Sequence, residues 1–470
     1  MEALIELSQS WAICNGLILK SHTGTSYQCD PIPFTLSPTA ITRKGFEKVV
    51  SIAPLLNTLV DRMSRDSKFI NDSLLNVAQY DRFVKRLLEL YNETYSKACT
   101  NYQMAIHRSD YMMHVDEKTG EETPQQVEIN TISSASGALG SVVHHLHAYL
   151  QQYRSWLVPE YCGYELHPNE SMEKIAHLMQ TAHITFLNRK KPSTKQHYVL
   201  FVVQDGERNV GDQKAYEFLL LKKYGVFVLR RSLSELIGNI VTGEADELVL
   251  DGKYPISVVY FRSAYTPNDY PSDKEWDVRR ILETSSAIKC PSIGVQLVGT
   301  KKVQQIMFKK EVLEKYLTKE ETKSVKEAFT GIYSLDETEH VQDAFENPDD
   351  YVMKPQREGG GHLVFGERMQ SFLNILLSQP EHEEYATIKN TYILMKKIKP
   401  KRRYNEILRL GKVETGECVS ELGIFGIYLG DGKEEVVNDD AGYLLRTKLA
   451  KFQDGGIANG IGSLDSVYLC

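Results

Sequence analysis

The stretch Tyr351 to Gly366, YVMKPQREGGGHLVFG, constrains this chain most. It opens on an apolar, strand-like run, Tyr351-Val352-Met353, and passes through Lys354 to three consecutive glycines, Gly359, Gly360 and Gly361. Residues without side chains let a backbone approach a ligand closely and aim several N–H groups at it, which suits phosphate oxygens. Lys354 adds a point charge for the same oxygens, and Glu358 at the loop edge is a hard ligand for a magnesium ion bridging them. A glycine triplet alone reads better as a surface hairpin tip. Flanked by Lys354 and Glu358, it reads better as a nucleotide loop.

The rest of the chain has to supply a fold that presents this loop. Its 470 residues suit several domains or one large multi-lobed enzyme, and 42% hydrophobic content provides a sizeable core. A net charge of −7 argues against a general nucleic-acid or membrane-surface binder. The basic run Lys396 to Arg403 reads as a solvated face. Glu2 and Glu6 stand where a signal peptide carries Lys or Arg, and no apolar run reaches the ~18 residues that span a bilayer. Seven scattered cysteines form no CxxC pair, so the expectation is a reduced, cytoplasmic protein.

In chain order, Phe46, Val49, Val50, Ala53, Leu56 and Val60 recur at helical spacing, as do Phe83, Leu87, Leu88 and Tyr91. HRSDYMMHV and QQVEINTIS then flank the turn Asp116 to Gly120, which predicts a hairpin. Its second strand carries Glu128-Ile129-Asn130. Alternation puts the Glu128 carboxylate and the Asn130 amide on one face, a hard-ligand pair that magnesium accepts. The small, hydroxyl-rich run Thr131 to Gly137 offers donors to a carboxylate and is equally a helix N-cap. His144, His145 and His147 read as a solvated helix face.

From about 197 to 298 strands and helices alternate, predicting a compact α/β unit. Glu207-Arg208-Asn209 follows its first strand and Arg262-Ser263-Ala264-Tyr265 its last, at strand ends where open sheets bind ligands. Arg262 is a candidate bidentate carboxylate clamp, though a surface ion pair is as good a reading. A helix is expected over about 303–316 and an acidic linker over 336–350. The glycine stretch, a helix over 367–377 and a strand over 392–398 then form a small unit able to hinge as a lid. A last strand at Ser420 to Gly426 precedes Leu444 to Lys448 and a second glycine loop, Asp454 to Gly460.

The segments EINTIS, QDGERNVGDQ, VVYFRSAY, QLVGTKKVQQ, VMKPQREGGG, SELGIFG, LLRTK and DGGIA, in this order, resemble eukaryotic glutathione synthetase across nearly the whole chain. The resemblance implies an α/β fold, a circularly permuted ATP-grasp with an inserted α/β substrate domain and a small mobile lid. The expected division is 1–196 (N-terminal helical and core part), 197–298 (substrate domain), 299–345 (helical connection), 346–408 (lid) and 409–470 (C-terminal core). It also implies a cytoplasmic homodimer that ligates γ-glutamylcysteine to glycine through an acyl phosphate, using ATP and two magnesium ions.

Residue by residue, the resemblance makes Glu128, Asn130 and Glu358 metal ligands. Glu128, Lys301, Lys354, Glu358, the loop Gly359 to Gly361, Phe365, Met395, Lys396, Glu421, Lys448 and Asp454 fall to ATP and its metal. Arg108, Ser133, Glu207, Arg208, Asn209, Gln213, Arg262, Tyr265, Arg446, Ile457 and Ala458 fall to the dipeptide, glycine or product. Arg108, Arg446 and Lys354 are the cations of the reacting end. Members that use β-alanine carry Leu-Pro at Ile457-Ala458, so the alanine here favours glycine. The chain departs from the family at Ala135 (a serine), Leu363 (an asparagine), Phe365 (a tyrosine) and Lys396 (a glutamate). These departures leave open a ligase for another acceptor such as β-alanine and a nucleotide-binding scaffold without ligase activity.

Overall fold

Two apolar strands, Tyr198–Val202 and Tyr254–Phe261, show how the core is built. Their residues alternate between two separate hydrophobic clusters: Val199, Phe201, Val258 and Tyr260 enter one, and Leu200, Val202, Val259 and Phe261 the other. A strand buried on both faces has no polar side, which is why both read as continuous apolar runs. The computed structural model describes residues 2–21, 28–98, 101–157, 163, 165–189, 195–356, 363–452, 455–457 and 460–470.

These strands belong to a 13-stranded mixed sheet with helices on both faces. Val228–Arg231, Tyr198–Val202, Tyr254–Phe261 and Ile288–Cys290 run parallel and lead to Gln103–Val115. On the far side of that strand the sheet is mainly antiparallel, through Lys412–Gly430, Glu435–Leu449 and Ser463–Asp465. The near edge of Gln103–Val115 changes partner along its length. At Gln103 it meets Ile288–Cys290, and from Arg108 onward it pairs with Glu122–Asn130. The sheet therefore forks at Arg108, and a fork leaves a crevice that side chains must line. The expected hairpin is present, with a bulge between Asp110 and Tyr111.

Helix Arg43–Ser64 buries Phe46, Val49, Ala53, Leu56 and Val60 in the cluster that takes Leu200 and Val202, and Arg82–Ala98 is capped by Asp81, whose carboxylate accepts from Phe83 N and Val84 N. A separate three-stranded sheet, Ile332–Tyr333, Tyr392–Lys396 and Tyr351–Pro355, carries its own small core around Met353, Met369, Leu373 and Leu394. Among the described residues no helix is long and apolar enough to cross a membrane. Cys14, Cys29, Cys290, Cys418 and Cys470 are free thiols; Cys99 and Cys162 lie outside the described residues.

Four expectations need correction. The stretch read as an acidic linker contains helix Thr338–Glu346, because Val341 and Ala344, three apart among acidic residues, pack into the small core. The single helix over 303–316 is two, Lys301–Met307 and Lys310–Tyr316; the chain leaves the helical path at Lys309, whose backbone is extended, just after Phe308, which lies on Phe329 with ring centroids 3.8 Å apart. The hydroxyls before helix Gly137–Leu157 do not cap it. Asp212 does so from another element, accepting from Ser136 N at 2.9 Å and Ala138 N at 3.0 Å. His147 faces inward rather than solvent: its ring bonds Ser466 Oγ at 2.6 Å and Thr35 O at 2.7 Å, and burial pushes its pKa down to about 4.

Candidate active site

Strand alternation assembles the centre at the fork. Arg108 pairs with Asn130 and Asp110 with Glu128 across the hairpin, and Glu421 pairs with Arg446 across the neighbouring one. Positions two apart share a face, so these six polar side chains converge. Asp110, fully buried, accepts from Arg108 Nε at 2.7 Å and Nη2 at 2.9 Å, and from Arg446 Nη2 at 3.1 Å. Arg446 also holds Glu421. Gly423 is bare where this cluster crosses: a Cβ there would stand 2.6 Å from Asp110 Oδ1 and 2.8 Å from Arg108 Cδ.

Two lysines reach Glu128 from outside the hairpin. Lys301, at the first turn of Lys301–Met307, stands 3.3 Å away, and Lys354, from the small sheet, 3.8 Å. Lys354 also donates to Val127 O at 3.0 Å. Burial alone would raise the Glu128 carboxyl. Lys301 and Lys354, with Arg446 and Arg108 behind them, outweigh burial and hold it well below the usual carboxylate range. Glu421 goes the other way. Burial raises it and Arg446 pulls it back, but the repulsion of Asp110 and Glu128 leaves it above its ordinary value.

A second group lies at the ends of Tyr198–Val202 and Tyr254–Phe261. Arg262 is buried and paired with Asp212 at 2.7 Å, while its Nε has no protein partner. Gln213 donates to Glu207 at 2.9 Å and accepts from Arg230 Nη2 at 2.6 Å, and Glu207 also accepts from Asn209 N at 2.7 Å. Ser133 donates to Phe261 O at 3.3 Å and Tyr265 to Gln204 Oε1 at 3.2 Å. A cavity of ≈ 250 Å³ adjoins Tyr265, walled by Phe83, Ile132, Gln296 and Gln356.

Not every candidate joins these groups. Arg208 reaches away, donating to Lys20 O at 2.9 Å. Met395 is buried in the small sheet beside Val352, whereas Phe365 is exposed and Lys396 extends its ammonium over the Tyr351 ring at 5.5 Å. Lys448 lies along the second glycine loop, its Nζ 4.0 Å from where a Gly455 Cβ would be, and Ile457 packs on the core. Glu358, Gly359, Gly360, Gly361, Asp454 and Ala458 lie outside the described residues.

The family model for eukaryotic glutathione synthase, ATP binding domain, matches residues 1–469. The chain belongs to the eukaryotic glutathione synthase family. It is 38% identical to the chloroplastic glutathione synthetase of Arabidopsis thaliana over 93% of this chain and 78% of that one. Identity is 36% to the glutathione synthetase of Xenopus laevis and 34% to that of Homo sapiens, each over 100% of this chain and 97% of the other. A solved apo glutathione synthetase like-effector of Globodera pallida shares the fold, with a TM-score of 0.77 at 20% identity over 100% of this chain and 96% of that one.

In this member of the glutathione synthase family, four positioning residues escape a reading by motif. Asp110 had a signal, because Arg108-x-Asp110 places opposite charges on one strand face. Asp212 and Arg230 had none; their partners come from other elements. Nor did Gln304, whose amide accepts from Ile129 N at 2.9 Å and donates to Ile129 O at 3.2 Å. It supplies the hydrogen bonds that a neighbouring strand would give the edge holding Glu128 and Asn130.

Proposed function

We propose that the chain ligates γ-glutamylcysteine to glycine, giving glutathione, ADP and phosphate. The carrying observation is the charge pattern at the fork: Lys301, Lys354, Arg108 and Arg446 face Glu128, Asp110 and Glu421, four cations against three carboxylates. A half-buried cationic excess suits a polyphosphate meeting a carboxylate. The cysteinyl carboxylate oxygen attacks the γ-phosphorus of ATP, and the bond to the bridging oxygen breaks as ADP leaves. The glycine nitrogen attacks the acyl phosphate carbon, phosphate leaves, and the amine loses its proton to solvent. No protein nucleophile is needed. Arg262 and the Glu207–Gln213 pair orient the dipeptide, Arg108 and Arg446 sit at the reacting carboxylate, and Lys301, Lys354 and Lys448 hold the phosphates.

The donor chemistry around Glu128 fits magnesium. Asn130 Nδ2 donates to Asp110 Oδ2 at 3.0 Å, which leaves its amide oxygen as the outward end beside the Glu128 carboxylate. Glu128, Asn130 and Glu358 would hold the metal, which would neutralise phosphate oxygens. The proposed architecture is a circularly permuted ATP-grasp in which residues 346–408 close as a lid, keeping water from the acyl phosphate. The separate small core supports a lid, and it also takes in Leu335, Val341 and Ala344 ahead of residue 346. A cytoplasmic homodimer completes the reading, and light scattering at twice the monomer mass tests the dimer.

ADP release from purified protein with ATP, magnesium and γ-glutamylcysteine decides the function. The expected result is fast release only when glycine is added, with the tripeptide as product. Turnover with β-alanine alone would mark the sister ligase. The exposed Leu363 and Phe365 after the glycine run favour one other outcome, nucleotide binding without turnover, which would mark a scaffold.

A further inference from the structure

We propose that Asp110 is the positioning carboxylate of the reacting centre, setting Arg108 and Arg446 side by side and fixing which end of the Asn130 amide faces outward. This deepens the ligase reading and rests on it for the identity of the centre. Asp110 Oδ1 accepts from Arg108 Nε at 2.7 Å; Oδ2 accepts from Arg108 Nη2 at 2.9 Å, Asn130 Nδ2 at 3.0 Å and Arg446 Nη2 at 3.1 Å. Each oxygen of an ionised carboxylate offers about two acceptor positions, so Oδ2, with three donors, is fully taken and Oδ1, with one, keeps a single position. Asp110 has no exposure and the Gly423 backbone lies against Oδ1, so substrate and metal cannot reach the remaining position and Asp110 acts through its three partners.

Each contact has a consequence for the chemistry. Arg108 is gripped on two nitrogens, and its Nη1 donates to Ala135 O at 3.1 Å, so its plane is set. Arg446 is held between Asp110 and Glu421. The Asn130 amide lies against two acceptors, Asp110 Oδ2 and Arg108 O at 3.4 Å, so nitrogen must point inward and oxygen outward. An amide turned the other way would offer a donor where a cation needs a lone pair. The neighbouring strand is shaped around the arrangement, because Gly423 leaves the space that any side chain would take from Asp110 and Arg108. An outer carboxylate that orients a metal ligand is a recurring device, and its loss costs about 10- to 100-fold in affinity.

The test is Asp110→Asn, an uncharged isostere that must turn an NH₂ toward an N–H. Manganese binding with ADP present, read by electron paramagnetic resonance, should weaken about 10-fold or more. Turnover should fall about 100-fold, as expected for misplaced arginines. Because Asp110 acts on the metal through Asn130, adding Asp110→Asn to Asn130→Ala should weaken manganese binding no further. Should Asp110→Asn alone not fold, the pair Asp110→Asn with Arg108→Gln removes both buried charges together and is compared with Arg108→Gln alone; the same loss of manganese affinity is expected. Unchanged manganese affinity, or losses from Asp110 and Asn130 that simply multiply, overturns the proposal. Failure of the ligase reading would show instead as a parent protein without turnover, and the manganese measurements stand without it.

Discussion

Glu128→Gln removes one negative charge between two lysines and leaves the shape of the side chain. At an effective dielectric of 20, a pair at 3.3 Å is worth about 5 kcal/mol and one at 3.8 Å about 4 kcal/mol before desolvation is subtracted. Desolvation cancels much of this, but truncating one member of a buried cluster still costs about 3–5 kcal/mol, because the remaining charges lose their counterion. The Glu128 side chain keeps 24% exposure, so solvent takes part of that and a loss of roughly 2–3 kcal/mol is expected at pH 7. The pH dependence gives an independent check. The folded-state pKa lies below the unfolded one, so the contribution is present above the unfolded value near 4.5 and is lost as pH falls through the folded value. Denaturant unfolding of parent and variant from pH 7 to below pH 4 should therefore give curves that converge on the acid side. Turnover should be lost at every magnesium concentration. A variant as stable as the parent at pH 7 would refute the electrostatic argument, and parental turnover with saturating magnesium would sink the metal assignment.

Arg262→Ala should raise the KM for γ-glutamylcysteine about 10- to 100-fold with a smaller change in kcat. It should also cost about 3–5 kcal/mol of stability, because the Asp212 carboxylate at 2.7 Å is left buried. A purely kcat effect would move Arg262 into the reacting centre. Gly423→Ala places a methyl 2.6 Å from Asp110 Oδ1, so steady-state assays should show about 100-fold lower kcat with secondary structure retained by circular dichroism; near-parental activity would mean the cluster shifts freely. His107 is fully buried, with burial pushing its pKa down to about 4. Between pH 6.5 and 4 the unfolded chain binds a proton that the native state excludes, so stability falls as pH drops, by about 3 kcal/mol for this histidine. His107→Leu should flatten that slope by about 1.4 kcal/mol per pH unit; an unchanged slope would show that His107 titrates normally.

The residues most legible in the sequence were those whose signal is local. Glu128 and Asn130 were readable because a strand alternates, and Arg262 because it follows an apolar strand. His147 and helix Thr338–Glu346 were misread for a common reason. Polar residues around each resemble a solvated face, and the groups that bury them, Ser466 and Thr35 for one and the small core for the other, lie far away in the chain.

By itself the sequence determined the family, the hairpin carrying Glu128 and Asn130 and the apolar strands of the α/β unit, because periodicity and ordered motifs are written residue by residue. Tertiary structure alone decided which charges neutralise which. Lys301 and Lys354 come to Glu128 from residues more than a hundred positions away, and Asp212 leaves its own helix to cap another and hold Arg262. Asp110 joins two arginines separated by most of the chain, on strands that Lys412–Gly430 brings to either side of itself only once the sheet has formed. Coulomb energy depends on distance in space, and in this site the chain sets that distance only by folding.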